Sequence, residues 1–187
     1  MKRMSDKTRK RYLECKPVRD ELRESVGRCE ICDRHQSFYP LDVHEIARGV
    51  HRQKALDKLF ALLVVCRSCH GLLGSAKEWP EARQLAVLAE KRLHDWDLTA
   101  YLELTNPRAP NRITLEEVLN YMSDELLMVD EAAVRMRVNR RTVQSWIDAK
   151  LLPAIDLRPA GASRALWRIS PEDLLKFAQN RKSTKAD

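Results

Sequence analysis

Cys29-Glu30-Ile31-Cys32 and Cys66-Arg67-Ser68-Cys69-His70 are two Cys-x-x-Cys knuckles separated by thirty-three residues. Each knuckle offers two thiols on one tight turn. Together they complete a tetrahedral set of four sulfurs, the arrangement that zinc prefers. Cys29, Cys32, Cys66 and Cys69 are therefore the expected ligands of one structural Zn2+. Cys15, the fifth cysteine, is left over as a free thiol. This usage fits a reducing compartment better than a disulfide framework.

Between the knuckles, Asp42-Val43-His44-Glu45-Ile46 alternates polar and apolar after Pro40 and predicts a strand carrying His44. Leu59 to Val65 is an apolar run of seven that ends at Cys66, and it predicts a second, buried strand. A short helix is expected from Cys69-His70, with Gly74 as its stop. Ala47 to Lys58 is a basic loop with Arg48, His51, Arg52, Lys54 and Lys58 against one Asp.

Strand, loop, strand and helix, with these knuckles, the V-H-E-I segment and the C-x-x-C-H ending, resemble the zinc-bound HNH (ββα-metal) nuclease module over about residues 27 to 75. The resemblance implies a second, catalytic divalent metal such as Mg2+ or Mn2+, with His44 and His70 in its ligand positions. The position of the family's general-base His is Glu45 here, and that of its loop Asn is Ala61. A carboxylate with an ordinary pKa near ~4.3 is a weaker base at neutral pH than an imidazole. The resemblance also places Arg48, Arg52 and Lys54 near a DNA backbone; a solvated loop is the alternative. The alternative for His44 and His70 is a structural pair, hydrogen-bonded across the lobe.

Outward from this centre, Lys2 to Arg11 holds six basic residues and one Asp and reads as a mobile arm or a solvated tail. Pro17 fits the first turn of a helix running to about Ser25, with Val18 and Leu22 inward and Arg19 and Arg23 outward. Gly27 ends it. Pro80 starts a helix whose Ala82, Leu85, Ala86, Ala89 and Leu93 share one face. Asp97 caps a shorter helix with Leu98, Tyr101 and Leu102 inward. His94 reads as a surface or edge residue. Asn106 to Asn111, with two prolines, is a linker. Thr114-Leu115-Glu116-Glu117 reads as a capping box opening a helix with a Leu115, Val118, Leu119 and Met122 stripe, a bridge or a dimer contact.

Val129 to Phe177 follows a different pattern. Asp130 is expected to cap a helix over 131–137, Val138-Asn139 a tight turn, and Asn139 to cap a helix over 140–150. Two short helices at a tight turn, the second opening with polar residues, form a helix-turn-helix. A strand at 152–155, a hairpin at 158–164, a strand at 166–169 and a helix capped by Ser170-Pro171 follow. The strings D-E-A-A, V-N-R-R-T-V-x-x-W-I, K-L-L-P-A and W-R-I-S-P-E-D-L look like the excisionase/MerR-type winged helix-turn-helix family. The resemblance implies double-stranded DNA as partner. Arg140, Arg141, Thr142, Gln144, Ser145 and Lys150 would contact it from the recognition helix, and Arg158, Arg164 and Arg168 from the wing.

The expected fold is α+β and mostly helical: a zinc-bound ββα HNH-like lobe with flanking helices over 12–105, a linker and bridging helix over 106–123, and a winged helix-turn-helix over 124–180. A net charge of +7 and a pI near 9.3 agree with a polyanionic partner. The N-terminal residues have no apolar core and no run reaches the length of a membrane span, so a cytoplasmic protein, on the nucleoid when bound to DNA, is expected. The favoured function is DNA binding that regulates transcription or recombination of a mobile element, with a second copy or another element-encoded protein as a further partner. A divalent-metal HNH endonuclease is the alternative. A zinc-stapled assembly factor is a third reading.

Overall fold

The computed structural model describes residues 6–105, 112–122, 125–158, 163 and 165–183. It is a mixed α+β structure dominated by helices, with two small sheets. Helix α1 (Asp6–Val26) leads into the first knuckle. Strands β1 (Leu41–Glu45) and β2 (Leu62–Cys66) pair antiparallel, with Val43 opposite Val64 and His44 opposite Leu63. Helix α2 (Arg67–Leu73) follows β2 directly, so Cys66 is its N-cap and Cys69 lies in its first turn. Helices α3 (Glu81–Lys91), α4 (Leu98–Thr105) and α5 (Leu115–Leu119) come next.

β2 is buried along its whole length, as a continuous apolar run requires, whereas β1 alternates. The run differs from its expected form at one end. Leu59–Ala61 is a 3-10 turn, and only Leu62 onward is extended. A further 3-10 segment, Gly49–Lys54, occupies the basic loop. Leu85, Ala86, Leu88, Ala89 and Leu93 of the α3 region close over this sheet with Trp96 and Tyr101, both fully buried.

α1 corrects two expectations. It begins at Asp6, so the described part of the basic arm is helical, and it runs through Pro17. A proline inside a helix removes one hydrogen bond at a cost of about 3 kcal/mol. Tertiary anchors on both sides offset this: Arg11 pairs with Asp57 at 3.1 Å, and Cys15, Arg19 and Leu22 are buried. The second correction is Arg19, which points inward. Gly27, at φ 62, ends the helix with its amide on the Arg23 carbonyl.

Thr114 and Glu117 form the expected capping box at α5. Val118 is fully buried, and its neighbours Leu115, Leu119 and Met122 pack on the same core, so this stripe is covered from within the chain.

The C-terminal part contains β3 (Leu127–Met128), α6 (Val129–Met136), α7 (Arg140–Asp148), β4 (Ile155–Asp156), β5 (Trp167–Ile169) and α8 (Pro171–Ser183). The sheet order is β3-β5-β4, all antiparallel. Ala132, Ala133, Val143, Ile147, Leu152, Ile169, Leu174 and Leu175 form its core. Trp146 packs on Phe177 with ring centroids 4.9 Å apart. The Gln179 amide donates to Thr99 of α4 at 2.9 Å, tying α8 to the N-terminal half.

Candidate metal centre and nucleic-acid interface

The first knuckle is a turn held by its own backbone. The Asp33 amide donates to the Cys29 carbonyl and the Cys29 amide to the Arg34 carbonyl, both at 2.9 Å, with Asp33 at φ 62. The second knuckle gains its geometry from the strand-to-helix turn at Cys66. Between them the four Sγ atoms all lie within 4.8 Å of one another, and Cys32 and Cys66 are 3.7 Å apart. A tetrahedron with metal–sulfur bonds of about 2.3 Å has edges of about 3.8 Å. The four cysteines therefore fit a zinc ion. The Cys69 amide draws the Cys66 thiol down to about 7, towards the thiolate a metal requires, while burial pushes the Cys69 thiol up.

Glu30, inside the first knuckle, fastens it to the rest of the lobe. Its amide donates to the Val64 carbonyl at 2.8 Å, and its carboxylate accepts the Val64 amide at 2.6 Å. The other carboxylate oxygen accepts from Arg92 Nε at 2.7 Å. Arg92 also donates to the Leu62 carbonyl and pairs with Asp95. The edge of β2 not covered by β1 is thereby closed by a knuckle side chain and by the residue capping α3.

The His44 and His70 rings lie side by side, with centroids 5.0 Å apart and edge to face. Their partners are separate. His44 Nε2 lies 3.0 Å from Gln84 Oε1, and Gln84 Nε2 donates to the Trp79 carbonyl. That orientation of the amide makes His44 Nε2 the donor and leaves Nδ1 without a proton. Nδ1 is buried with no hydrogen-bond partner. Burial, with the adjacent His70, holds His44 down at about 4, so its ring is neutral. His70 Nδ1 lies 3.3 Å from Asp42 Oδ2. Among the described residues, the four cysteines are the one group of three or more metal-ligating side chains that converge.

Glu45 is in a different situation from a general base. Arg19 Nη1 and Arg52 Nε contact its two oxygens at 2.5 and 2.8 Å. Burial works to raise its pKa, but Arg19 and Arg52 outweigh burial and keep it ionised below its ordinary value. Both oxygens are engaged, which leaves it little capacity to accept a proton from water. Ala61 is buried and supplies only backbone: its carbonyl accepts the Ile46 amide. Arg48 donates to the Leu73 carbonyl at the end of α2 and to the Trp79 carbonyl just before α3, so it braces the loop against the segment joining them. Arg52 and Lys54 are exposed.

In the C-terminal part, Arg137 takes a left-handed conformation (φ 51), and the Val138 amide reaches back to the Ala133 carbonyl at 3.0 Å. This ends α6 sharply and turns the chain into α7. Met128, rather than Asp130, is the N-cap of α6, with its amide bound by Glu131. The Asn139 side chain caps α7, accepting the Thr142 amide at 2.8 Å. Val143 and Ile147 face inward, whereas Arg140, Arg141 and Ser145 are exposed. Gln144 is half-buried and donates to Asp148 at 2.9 Å, and Lys150 is exposed at φ 57. Arg158 pairs with Asp156 at 2.8 Å. Arg164 and most of the hairpin around it lie outside the described residues.

Residues 126–182 match the family model described as a helix-turn-helix domain, an architecture that suggests binding to double-stranded DNA. Residues 1–125 lie outside that match. No curated protein matches the chain, and no solved structure matches it. Among the described residues, no helix is long and apolar enough to cross a membrane.

Sequence reading misses Arg19, Glu30, Gln84 and Arg92, all buried. Gln84 carries a faint signal, as a polar residue next to the Leu85-Ala86 face of α3. The others sit among many charged neighbours that are exposed, and nothing local sets them apart.

Proposed function

We propose that the protein binds a specific double-stranded DNA site through α7, and that its zinc-held lobe adds contacts to the same duplex. One observation carries most of the weight: α7 of a matched helix-turn-helix domain buries Val143 and Ile147 and presents Arg140, Arg141 and Ser145 outward. In this reading the turn after β4 acts as a wing through Arg158, set on the backbone of an adjacent groove. The ββα lobe is an HNH-like scaffold used for affinity, with Arg52 and Lys54 towards phosphates. Glu45 between two arginines and Ala61 inside the core favour a lobe that holds rather than cuts. Regulation of transcription or recombination in a mobile element is the setting such a pairing suits.

Endonuclease activity is the second reading, favoured by the contact between His44 and His70. Supercoiled plasmid incubated with the pure protein in Mg2+, Mn2+ and Ni2+ separates the two. Retardation without nicking in every metal supports the binding reading. Nicking by the parent that is lost in His44→Ala and His70→Ala, with retardation retained, establishes the nuclease. Under either reading, affinity falls steeply with salt, because each phosphate contact releases counterions.

A further inference from the structure

The β3-β5-β4 sheet has one side that faces away from its helices. Met128 and Ile155 both lie opposite Arg168, one on each neighbouring strand. The ladder continues outward, because the Leu157 amide donates to the Leu166 carbonyl at 3.0 Å. Alternation along each strand then puts Met128, Ile155, Leu157, Leu166 and Arg168 on one face. Burial agrees. Leu127 and Ile169, on the opposite face, are 4% and 0% exposed, whereas Met128, Ile155, Leu157 and Leu166 are 43–54% exposed. Single exposed aliphatic residues are ordinary, but four around one point are a contiguous patch.

At the centre of that patch is Arg168. Among the described residues, its guanidinium donates only to the neighbouring Trp167 carbonyl, at 3.1 Å, and pairs with no carboxylate. The nearby acids are already engaged. Glu131 holds the Met128 amide, and Asp156 holds the Arg158 and Leu166 amides and the Arg158 side chain.

We infer that this sheet face docks a polypeptide segment of another protein that carries aliphatic side chains around one carboxylate. The aliphatic ring supplies buried area, and Arg168, half-shielded by it, supplies a charge-assisted bond strengthened by the lowered local dielectric. A second copy of this chain fits poorly, since a two-fold axis through the patch would set Arg168 against Arg168. DNA fits poorly too. Four aliphatic side chains would be desolvated against phosphates with nothing gained. Arg168 is thereby reassigned from a groove contact to a protein contact.

The test selects binders to the intact protein from a displayed random-peptide library and synthesises the enriched sequences. Methyl NMR of Met128, Ile155, Leu157 and Leu166 then reports where they bind. The expected peptides carry Asp or Glu flanked by Leu, Ile or Val, and they shift these methyls. Arg168→Glu should weaken them by about tenfold or more, and exchanging the peptide carboxylate for Lys should restore binding to that variant. All five positions are at least partly exposed, so Arg168→Glu and Leu157→Ser should melt like the parent. Three outcomes would overturn the inference: peptides that leave these methyls unmoved or bind Arg168→Glu equally well; concentration-dependent dimers that Leu157→Ser abolishes; or DNA affinity that Leu157→Ser lowers.

Discussion

Arg19 Nη1 on α1 lies 2.5 Å from Glu45 Oε1 on β1, with the two side chains only 7% and 2% exposed. The same arginine donates to the Val43 carbonyl at 2.5 Å, so it ties the helix to both the backbone and a side chain of the strand. A buried pair of this kind contributes little over an apolar pair of equal size, yet removing one partner strands a charge. Glu45→Ala, which strands the buried Arg19, should therefore destabilise the protein by about 3–5 kcal/mol in urea unfolding, and Arg19→Ala should cost less, because Glu45 keeps Arg52 at 2.8 Å. The double variant Arg19→Met with Glu45→Leu should recover most of that loss. Equal losses in single and double variants would mean that the pair is not the source.

The four-cysteine cluster predicts a metal-dependent fold. The helix α1, the β1–β2 pair and α2 share a small core, and structural zinc contributes on the order of 10 kcal/mol to lobes of this size. Metal analysis should find one zinc per chain. Chelation, Cys29→Ser or Cys66→Ser should abolish the cooperative melting of the N-terminal half, followed by the fluorescence of the fully buried Trp96. Melting that survives a strong chelator unchanged would remove zinc from the account of this fold.

Glu30 and Arg92 extend that dependence to α3. The carboxylate between Cys29 and Cys32 is held by an arginine sixty-two positions away, at 2.7 Å. Partners behind metal ligands commonly change affinity by about 10- to 100-fold. Arg92→Ala should weaken zinc binding within that range, measured by competition with a chromophoric chelator, because Arg92 holds the knuckle through Glu30. Unchanged zinc affinity in a folded Arg92→Ala protein would confine Arg92 to packing.

Much of the fold is legible in the sequence because its signals are local. Two knuckles, an apolar run ending at a cysteine, the Thr114–Glu117 box and the Asn139 cap are written within a few residues of where they act, and each is present. What sequence misses is set by distance along the chain. Pro17 suggests a helix start and arginine suggests solvent, so local reading turns Arg19 outward. Its orientation depends on Glu45, twenty-six positions on. Glu45 itself matches a catalytic position in the resemblance, whereas its chemistry is decided by Arg19 and Arg52. Gln84 fixes the His44 tautomer from a helix that periodicity identifies only as a packing face. Arg168 looks like one more wing cation until strand register places four aliphatic neighbours around it.

In α7 the capping residue and a residue of the outer surface have separable roles. Asn139 caps the helix through the Thr142 amide, and replacing such a cap by alanine costs about 1 kcal/mol. Asn139→Ala should lower the stability of the C-terminal part by that amount and weaken binding to all DNA alike, because it loosens the whole helix. Gln144 should behave differently. Its Nε2 is held by Asp148, which orients the amide along the helix surface one turn from its start. If that amide reads a base edge, Gln144→Ala should lose about 1–3 kcal/mol of discrimination at one position of the site while leaving binding to unrelated DNA nearly unchanged. Randomised-site selection followed by anisotropy titration of matched and mismatched duplexes separates the two. A uniform loss with Gln144→Ala would assign this residue to support of the helix, and base reading would then rest on Arg140, Arg141, Thr142 and Ser145.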